Sequence, residues 1–299
     1  MDRLEAMSVL LAVVDAGSLS AASRRLGAPL ATVSRKVLEL EAHLKARLLI
    51  RSSRRVTLTD AGRSYVAACR RILDEVSDAE RVAAGEYSAP KGDLLITAPI
   101  VFGRLHVLPI IADFLKAYPD ISVRLMLADR VVNLVEEQID IALRIGDLPD
   151  SSLVATKVGS IRRIVCASPG YLAARGTPKR PTDLLAHDCI TFEGLMSPLE
   201  WTFRINKANT PVAIRSRLVV NTAEAVIDAA IAGLGITRVL SYQVEAARRA
   251  GQLALMLEAF EPPPSPVNLI HAGQGLLPLK TRAFLDFAAQ RLRARIAAI

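Results

Sequence analysis

Apolar positions recur at three- and four-residue intervals at the start of the chain. Leu4, Met7, Leu11 and Val14 share one face and Gly17 stops the run, which predicts a first helix. Ser18 or Ser20 can cap a short second helix over Ser20–Leu26. Gly27 supplies a tight turn, and Ala28-Pro29 opens a third helix, with proline tolerated in the first turn. Leu30, Val33, Val37, Leu40 and Leu44 form the apolar stripe of that helix, while Ala31, Thr32, Arg35 and Lys36 show on the opposite face near its N-terminus. Arg47–Thr59 reads as two short strands around Ser52–Arg55. A long helix capped by Asp60 then carries Tyr65, Cys69, Ile72, Val76, Ala79 and Ala83 in a heptad-like seam. Ser88-Ala89-Pro90-Lys91-Gly92 ends it as a hinge.

From residue 91 the period alternates between two and 3.6. Strands are expected at Asp93–Ala98, Ile121–Leu127, Ile139–Ile145, Arg163–Ala167, Cys189–Phe192, Arg217–Asn221 and Val267–Ala272. Helices are expected at Gly103–Tyr118, Val131–Glu137, Pro169–Arg175, Ala223–Ala232 and Leu279–Ala297. Such alternation argues for α/β units with parallel sheets.

The charge distribution adds what periodicity cannot. Between Arg24 and Arg71 stand 12 Lys/Arg against 3 Asp/Glu, a balance of +9 in a chain whose total is +8, so the remainder sums to −1. A basic block on a small helical module joined to a neutral body is the footprint of a nucleic-acid-binding head. With 299 residues, 51% of them hydrophobic, more than one domain and a large core are expected. No apolar run approaches the roughly 18 residues of a membrane span. The opening Met1-Asp2-Arg3-Leu4-Glu5 lacks the basic region of a signal peptide. Cys69, Cys166 and Cys189 show no paired spacing, which fits a reducing cytoplasm. His43, His106, His187 and His271 are scattered, so neither a metal nor a resident cofactor is expected.

Two helices joined by a glycine turn, the second basic at its outer N-terminal face, make a helix-turn-helix. The N-terminal part of such a second helix reaches base edges in the major groove of duplex DNA. Thr32, Ser34, Arg35 and Lys36 are therefore the candidate base-reading residues, with Ser18 and Ser20 on phosphates. Arg51, Arg54 and Arg55 on the basic hairpin would lie beside phosphates or enter the minor groove. The competing reading makes these side chains solvated faces. The seam on the long helix needs a partner, which is either the protein's own head or a second copy of the chain.

Residues 4–71 resemble the winged helix-turn-helix of LysR-type transcriptional regulators. The segments "SLSAASRRLG" and "ATVSRKVLELEAHLKARLLIRSSRRVTLTDAG" carry the likeness. Many members open the recognition helix with Ser-Gln-Pro-Ala, where this chain has Pro29-Leu30-Ala31-Thr32. It is closest to a subgroup with a Thr-Val-Ser-Arg opening. The body resembles the effector-binding domain of the same family through "GDLLITAPIVFGRLHVLPIIADFLKAYPDISVRLML", "DIALRIGDLPDSSLVATKV", "ASPGYLAARGTPKRPTDLLAHDCITF" and "AGLGI".

The resemblance implies an all-α winged helix-turn-helix head over 1–59 and a dimerisation linker helix over 60–88. It implies an α/β effector-binding domain over 89–299, two-lobed like a periplasmic binding protein. Lobe I would span about 91–162 and 267–299, and lobe II about 163–266, with crossings near Ile161–Ile164 and Pro264–Val267. It also implies a homodimer, or a tetramer made of two dimers, and RNA polymerase as a partner.

Ligands in open α/β sheets sit beyond the carboxyl ends of strands, against helix N-termini. That rule nominates Pro99, Ile100, Val101, Phe102 and Gly103 after the first strand, and Arg144 and Gly146 at the end of another. It also nominates Phe192 and Glu193, Asn221 and Thr222 at a helix cap, and Gly235 and Ile236 after a turn. Helix-start N–H groups favour an anion such as a carboxylate, with Arg144 able to pair it, unless Arg144 is a surface residue or is paired to Asp147. The leading functional expectation is a ligand-responsive DNA-binding transcriptional regulator. A solute-binding transport component explains the body but not the basic head. An enzyme with a DNA-binding appendage lacks any catalytic constellation.

Overall fold

The computed structural model describes residues 2–51, 56–83, 89–130, 132–134, 136–148, 153–192, 199–272 and 277–298. The chain divides into two compact units, Met1–Ala89 and Pro90–Ile299. The first unit contains α1 (Arg3–Ala16), α2 (Leu19–Leu26), α3 (Leu30–Leu44), the antiparallel strands β1 (Leu49–Arg51) and β2 (Val56–Leu58), and α4 (Asp60–Ala83). Its helix ends follow side-chain chemistry. Ser18, not Ser20, caps α2 by accepting the Ala21 N–H at 3.2 Å, so the helix begins at Leu19. Thr59, not Asp60, caps α4. Its hydroxyl accepts the Gly62 N–H at 2.9 Å and donates to the Arg47 carbonyl at 2.7 Å. Gly27 turns α2 into α3 at φ +62°, a conformation in which a Cβ is costly.

Leu10, Val13, Val33, Val37, Leu40, Leu48 and Cys69 fill the head core. Leu30 departs from the predicted stripe and is 46% exposed, because it lies in the first turn of α3, beyond the packed part of the helix. Gly62 lies hard against β1's approach: a Cβ there would fall 2.0 Å from the Leu48 carbonyl oxygen.

In chain order the second unit holds β3 (Gly92–Ala98), α5 (Ile100–Phe102), a π-turn (Gly103–Val107), α6 (Leu108–Ala117), β4 (Ile121–Leu127), β5 (Ile141–Ile145) and β6 (Leu153–Ile161). It continues with β7 (Arg163–Ala167), α7 (Pro169–Arg175), β8 (Asp188–Phe192), β9 (Glu200–Ile205), β10 (Ala208–Ala213), β11 (Arg215–Val220) and α8 (Ala223–Ile231). Then come β12 (Ile236–Leu240), α9 (Ser241–Arg249), β13 (Ala254–Met256), β14 (Ser265–Ala272) and α10 (Leu279–Ala297).

One lobe is built on a sheet ordered β4-β3-β5-β14-β6, the other on β11-β8-β12-β7-β13, with β9 and β10 as a separate hairpin. Both sheets are mixed rather than parallel. β14 runs antiparallel to β5 and β6, and β7 antiparallel to β12 and β13. The two reversed strands are the ones that enter each sheet from the other lobe.

Val131–Glu137 was expected to be helical. Among its described residues it is turn and irregular chain, and Asn133 accepts the Glu136 N–H through its side chain in a local turn. The aromatic cluster of Phe102, Phe114 and Phe284 anchors the first lobe. In the second lobe, Ile164, Ile190, Val226 and Val239 pack together, and Val165, Trp201, Phe203 and Ile236 pack around the hairpin.

The chain crosses between the sheets at Arg162 and again over Glu261–Pro264. Arg162 ties the two crossings together. It donates twice to the Glu261 carboxylate at 2.8 Å and once to Glu258 at 2.9 Å.

Candidate nucleic-acid interface and ligand cleft

The outer face of α3 is set by what its inner face buries. Val33, Val37 and Leu40 are at most 1% exposed, which leaves Ala31, Arg35 and Leu38 outward. The Arg35 side chain is 70% exposed, and among the described residues its one ion pair is a loose 3.8 Å contact to Glu39. Such an exposed pair contributes little and leaves the guanidinium available. Thr32 is half-buried on the flank of that face.

Lys36 is not on the outer face. It turns toward α1, pairs with Glu5 and is only 20% exposed, because it lies on the side of α3 nearest that helix. Ser34 is half-buried and engaged in contacts of its own. Ser18 is committed to the α2 cap, whereas Ser20 is exposed. Arg24, Arg25 and Arg47, outside the candidate set drawn from the sequence, are also exposed. Arg51 closes β1. Its side chain, together with Arg54 and Arg55, lies outside the described residues.

The α4 seam splits in two. Tyr65 and Cys69 pack into the head's own core, with Cys69 fully buried, so they are not free to face a second copy. Ile72 and Val76 are half-buried and Ala79 is exposed, while the Ala83 side chain lies outside the described residues. The heptad spacing could not separate these halves, since both serve apolar packing.

In the body a cleft of about 670 Å³ opens between the two sheets. Pro99, Arg144, Gly146 and Phe192 line it, as the strand-end rule expected. Ile100, Val101, Phe102 and Gly103 do not line it. Val101 and Phe102 are buried in the core, and a Cβ on Gly103 would strike Leu127. The free N–H expected at this helix start is already used, because Ile100 donates to the Asp129 carboxylate at 3.1 Å.

Thr222 caps α8 by accepting the Ala225 N–H, Asn221 is exposed, and the next residue, Ala223, reaches the cleft instead. Gly235 and Ile236 sit at the wrong end of β12. Ile236 is fully buried, and Gly235 presses on the Asp188 backbone. Glu193 lies outside the described residues.

Arg144 donates to the Leu143 carbonyl at 2.8 Å and to the Thr97 hydroxyl at 3.4 Å rather than pairing with Asp147. Burial holds its guanidinium below the usual arginine range, and the charge of Asp129 partly offsets this. Asp129 itself is raised by burial. Arg130 at the rim is held by both oxygens of Glu137 at 2.7 and 2.6 Å.

The residues missed in the sequence are Arg163 and Arg238 of the second lobe, together with Tyr242. Tyr242 packs edge-on against Phe102 of the first lobe, with ring centroids 5.1 Å apart. Arg238 could have been found. An arginine inside the apolar run Ile236-Thr237-Arg238-Val239-Leu240 is a charge placed in a buried strand.

Among the described residues the cysteines lie outside the cleft lining. The three cysteines are free and buried, and burial pushes the thiols of Cys166 and Cys189 up to about 12. Among the described residues no group of His, Cys, Asp and Glu could hold a metal ion, and no single helix is long and apolar enough to cross a membrane.

Comparison with known proteins covers both units. Residues 4–63 match the family described as bacterial regulatory helix-turn-helix protein, lysR family, and residues 88–293 match LysR substrate binding domain. An HTH-type transcriptional regulator of Xanthomonas campestris pv. campestris (strain 8004) is 34% identical over 288 residues, covering 95% of this chain and 84% of its own length. The HTH-type transcriptional activator AaeR of Escherichia coli (strain K12) is 32% identical over 286 residues, covering 96% of this chain and 93% of its own. CrgA, a LysR-type transcriptional regulator from Neisseria meningitidis, has a solved structure that matches with a TM-score of 0.62 at 31% identity. That match covers 96% of this chain and 98% of CrgA. These likenesses run through head and body together, which a transport component matching the body alone would not show.

Proposed function

The chain belongs to the LysR family of bacterial helix-turn-helix regulators, as a DNA-binding transcriptional regulator with an effector-binding domain, and we propose the following reading of its parts. The head over residues 1–59 lays α3 in the major groove, with Arg35 and Thr32 toward base edges. Its recognition helix uses the Thr32-Val33-Ser34-Arg35 opening in place of a glutamine contact. Ser20, Arg51, Arg54 and Arg55 take phosphates or the minor groove.

Residues 60–88 join two copies through Ile72, Val76, Ala79 and Ala83, giving a homodimer or a tetramer of two such dimers. Residues 89–299 hold a small-molecule effector between lobe I (about 91–162 and 267–299) and lobe II (about 163–266). Effector and DNA favour particular arrangements of the same oligomer, so each alters the affinity of the other. The protein acts by binding and not by catalysis, needs no resident cofactor or metal, works in the cytoplasm and communicates with RNA polymerase.

The observation that carries this reading is the outward, 70% exposed Arg35 on a helix whose opposite face is sealed into the head core. Nuclease protection of the DNA upstream of the protein's own coding region, in excess competitor DNA, tests it. Two protected half-sites separated by a multiple of a helical turn are expected, since a two-fold oligomer presents two recognition helices at fixed spacing. Protection that competitor removes completely would leave only non-specific binding and defeat the proposal.

A further inference from the structure

Arg238 and Arg163 lack what buried arginines normally have. Arg238 is 6% exposed, and its Nε is buried without a hydrogen-bond partner. Among the described residues neither its side chain nor that of the half-buried Arg163 makes a hydrogen bond or ion pair. The strand pairing places them together. Arg238 lies opposite Val165 and Leu240 opposite Arg163, so the two arginines are diagonal neighbours on one face of the β7–β12 ladder.

Both line the cleft. Burial, then the like charge of Arg163, pulls the Arg238 guanidinium down to about 9. The Phe203 ring, 5.4 Å from the guanidinium carbon, is the contact that steadies it. A buried charge without a counter-charge is costly and persists in binding sites where a ligand supplies one.

The acids of the cleft are placed elsewhere. Asp129 accepts the Ile100 N–H, and Glu137 holds Arg130. Asp147 is exposed at the opening. The facing wall, on lobe I, carries an apolar patch beside Arg144 and Asp129. Val132, Leu134, Leu153 and Ile270 pack as one cluster and line the same space.

We propose that the effector is an amphipathic organic acid whose anionic group is held by Arg163 and Arg238 on lobe II, while its apolar body lies against Val132, Leu134, Leu153 and Ile270 on lobe I. The proposal rests on the reading of this cleft as the effector site and names the chemistry it accepts. Two neighbouring guanidiniums can give charge-assisted hydrogen bonds to a planar carboxylate or a sulfonate. Burial of the body supplies affinity that a bare inorganic anion lacks.

Fluorescence titration of the full chain with anilinonaphthalene sulfonate, an apolar body bearing one anionic group, tests this. One probe per chain is expected. Arg238→Met and Arg163→Met should each weaken it by about tenfold or more, the loss of a hydrogen-bonded charge pair. The neutral counterpart, N-phenylnaphthylamine, should bind wild type and both variants alike, which excludes a collapsed pocket. Inorganic phosphate should not displace the sulfonate.

Equal sulfonate binding by all three proteins, parallel loss of the neutral compound, or displacement by phosphate would each overturn the proposal. DNA affinity measured without probe should be the same in all three proteins. Failure of wild type to bind DNA would instead count against the regulator reading and leave the titration interpretable.

Discussion

In the head, Arg24, Arg25, Arg35 and Arg47 stand exposed on helix and loop surfaces, whereas in the cleft Arg238 is 6% exposed and lies over an aromatic ring. The same side chain works under opposite physics. A solvated guanidinium costs nothing to keep charged and acts with its neighbours as a diffuse positive surface. Its contribution to DNA binding comes from counterion release and is screened by salt. A buried, unpartnered guanidinium is costly to keep charged, is scarcely screened, and discriminates for one anion in one place. Charge segregation along a sequence identifies the first kind. The second kind is hidden, because one arginine in an apolar strand barely changes the composition.

The division between the two regions can be broken by substitution. The largest effect is expected for Gly62→Ala, which would drive a Cβ into the Leu48 backbone. It should cost the head about 3 kcal/mol or more, since backbone must move to relieve the clash. Calorimetry should show the head transition lowered or lost and the transition of residues 90–299 unchanged. A joint shift of both would mean the units do not fold independently.

Arg35→Ala should weaken specific DNA binding by about 1–3 kcal/mol while leaving the melting temperature unchanged, as expected for a base contact by an exposed side chain. Equal loss on specific and random DNA would move Arg35 from base reading to phosphate contact.

Asp188→Asn should destabilise the body by about 1–2 kcal/mol at neutral pH. The Asp188 carboxylate is 3% exposed and faces Arg215, Arg217 and Arg175. Hydrogen bonding from Arg215, then from Arg217, lowers its pKa below the ordinary value. A carboxyl depressed in the folded state stabilises above its unfolded pKa and loses that contribution as pH falls. The gap between wild type and variant should therefore hold at neutral pH and close only below about pH 4. A gap that persists in acid would assign Asp188 a packing role.

Much of this organisation was legible in the sequence, for identifiable reasons. The head helices announce themselves by apolar spacing and glycine stops. The strands β3, β4 and β7 and the helices α7 and α10 follow the predicted limits closely because their patterns are long or sharply bounded. Strand β12 was missed because it follows Gly233 and Gly235 directly and reads as a turn, and with it Arg238 was missed. Strand β6 was obscured by Lys157 and Gly159. Gly159 is required there because a Cβ would meet Ile296 of α10, a contact no local pattern reveals. The strand-end rule found Arg144, Gly146 and Phe192 at the cleft but not the state of the helix-start donor. It counted the Ile100 N–H as free when Asp129, 29 residues along, already holds it. The placement of Lys36 was hidden for a similar reason, since its partner Glu5 belongs to another helix.

The most direct measurement is the salt dependence of DNA affinity for wild type, the Arg163→Met/Arg238→Met double variant and single alanine variants of Arg24, Arg25, Arg35 and Arg47. Log affinity should fall linearly with log salt. The slope should be the same in wild type and the cleft variant, and about one lower for each head arginine that contacts a phosphate. A slope that changes with the cleft arginines, or that ignores all four head arginines, would contradict the assignment of DNA to the exposed set and of the effector to the buried pair.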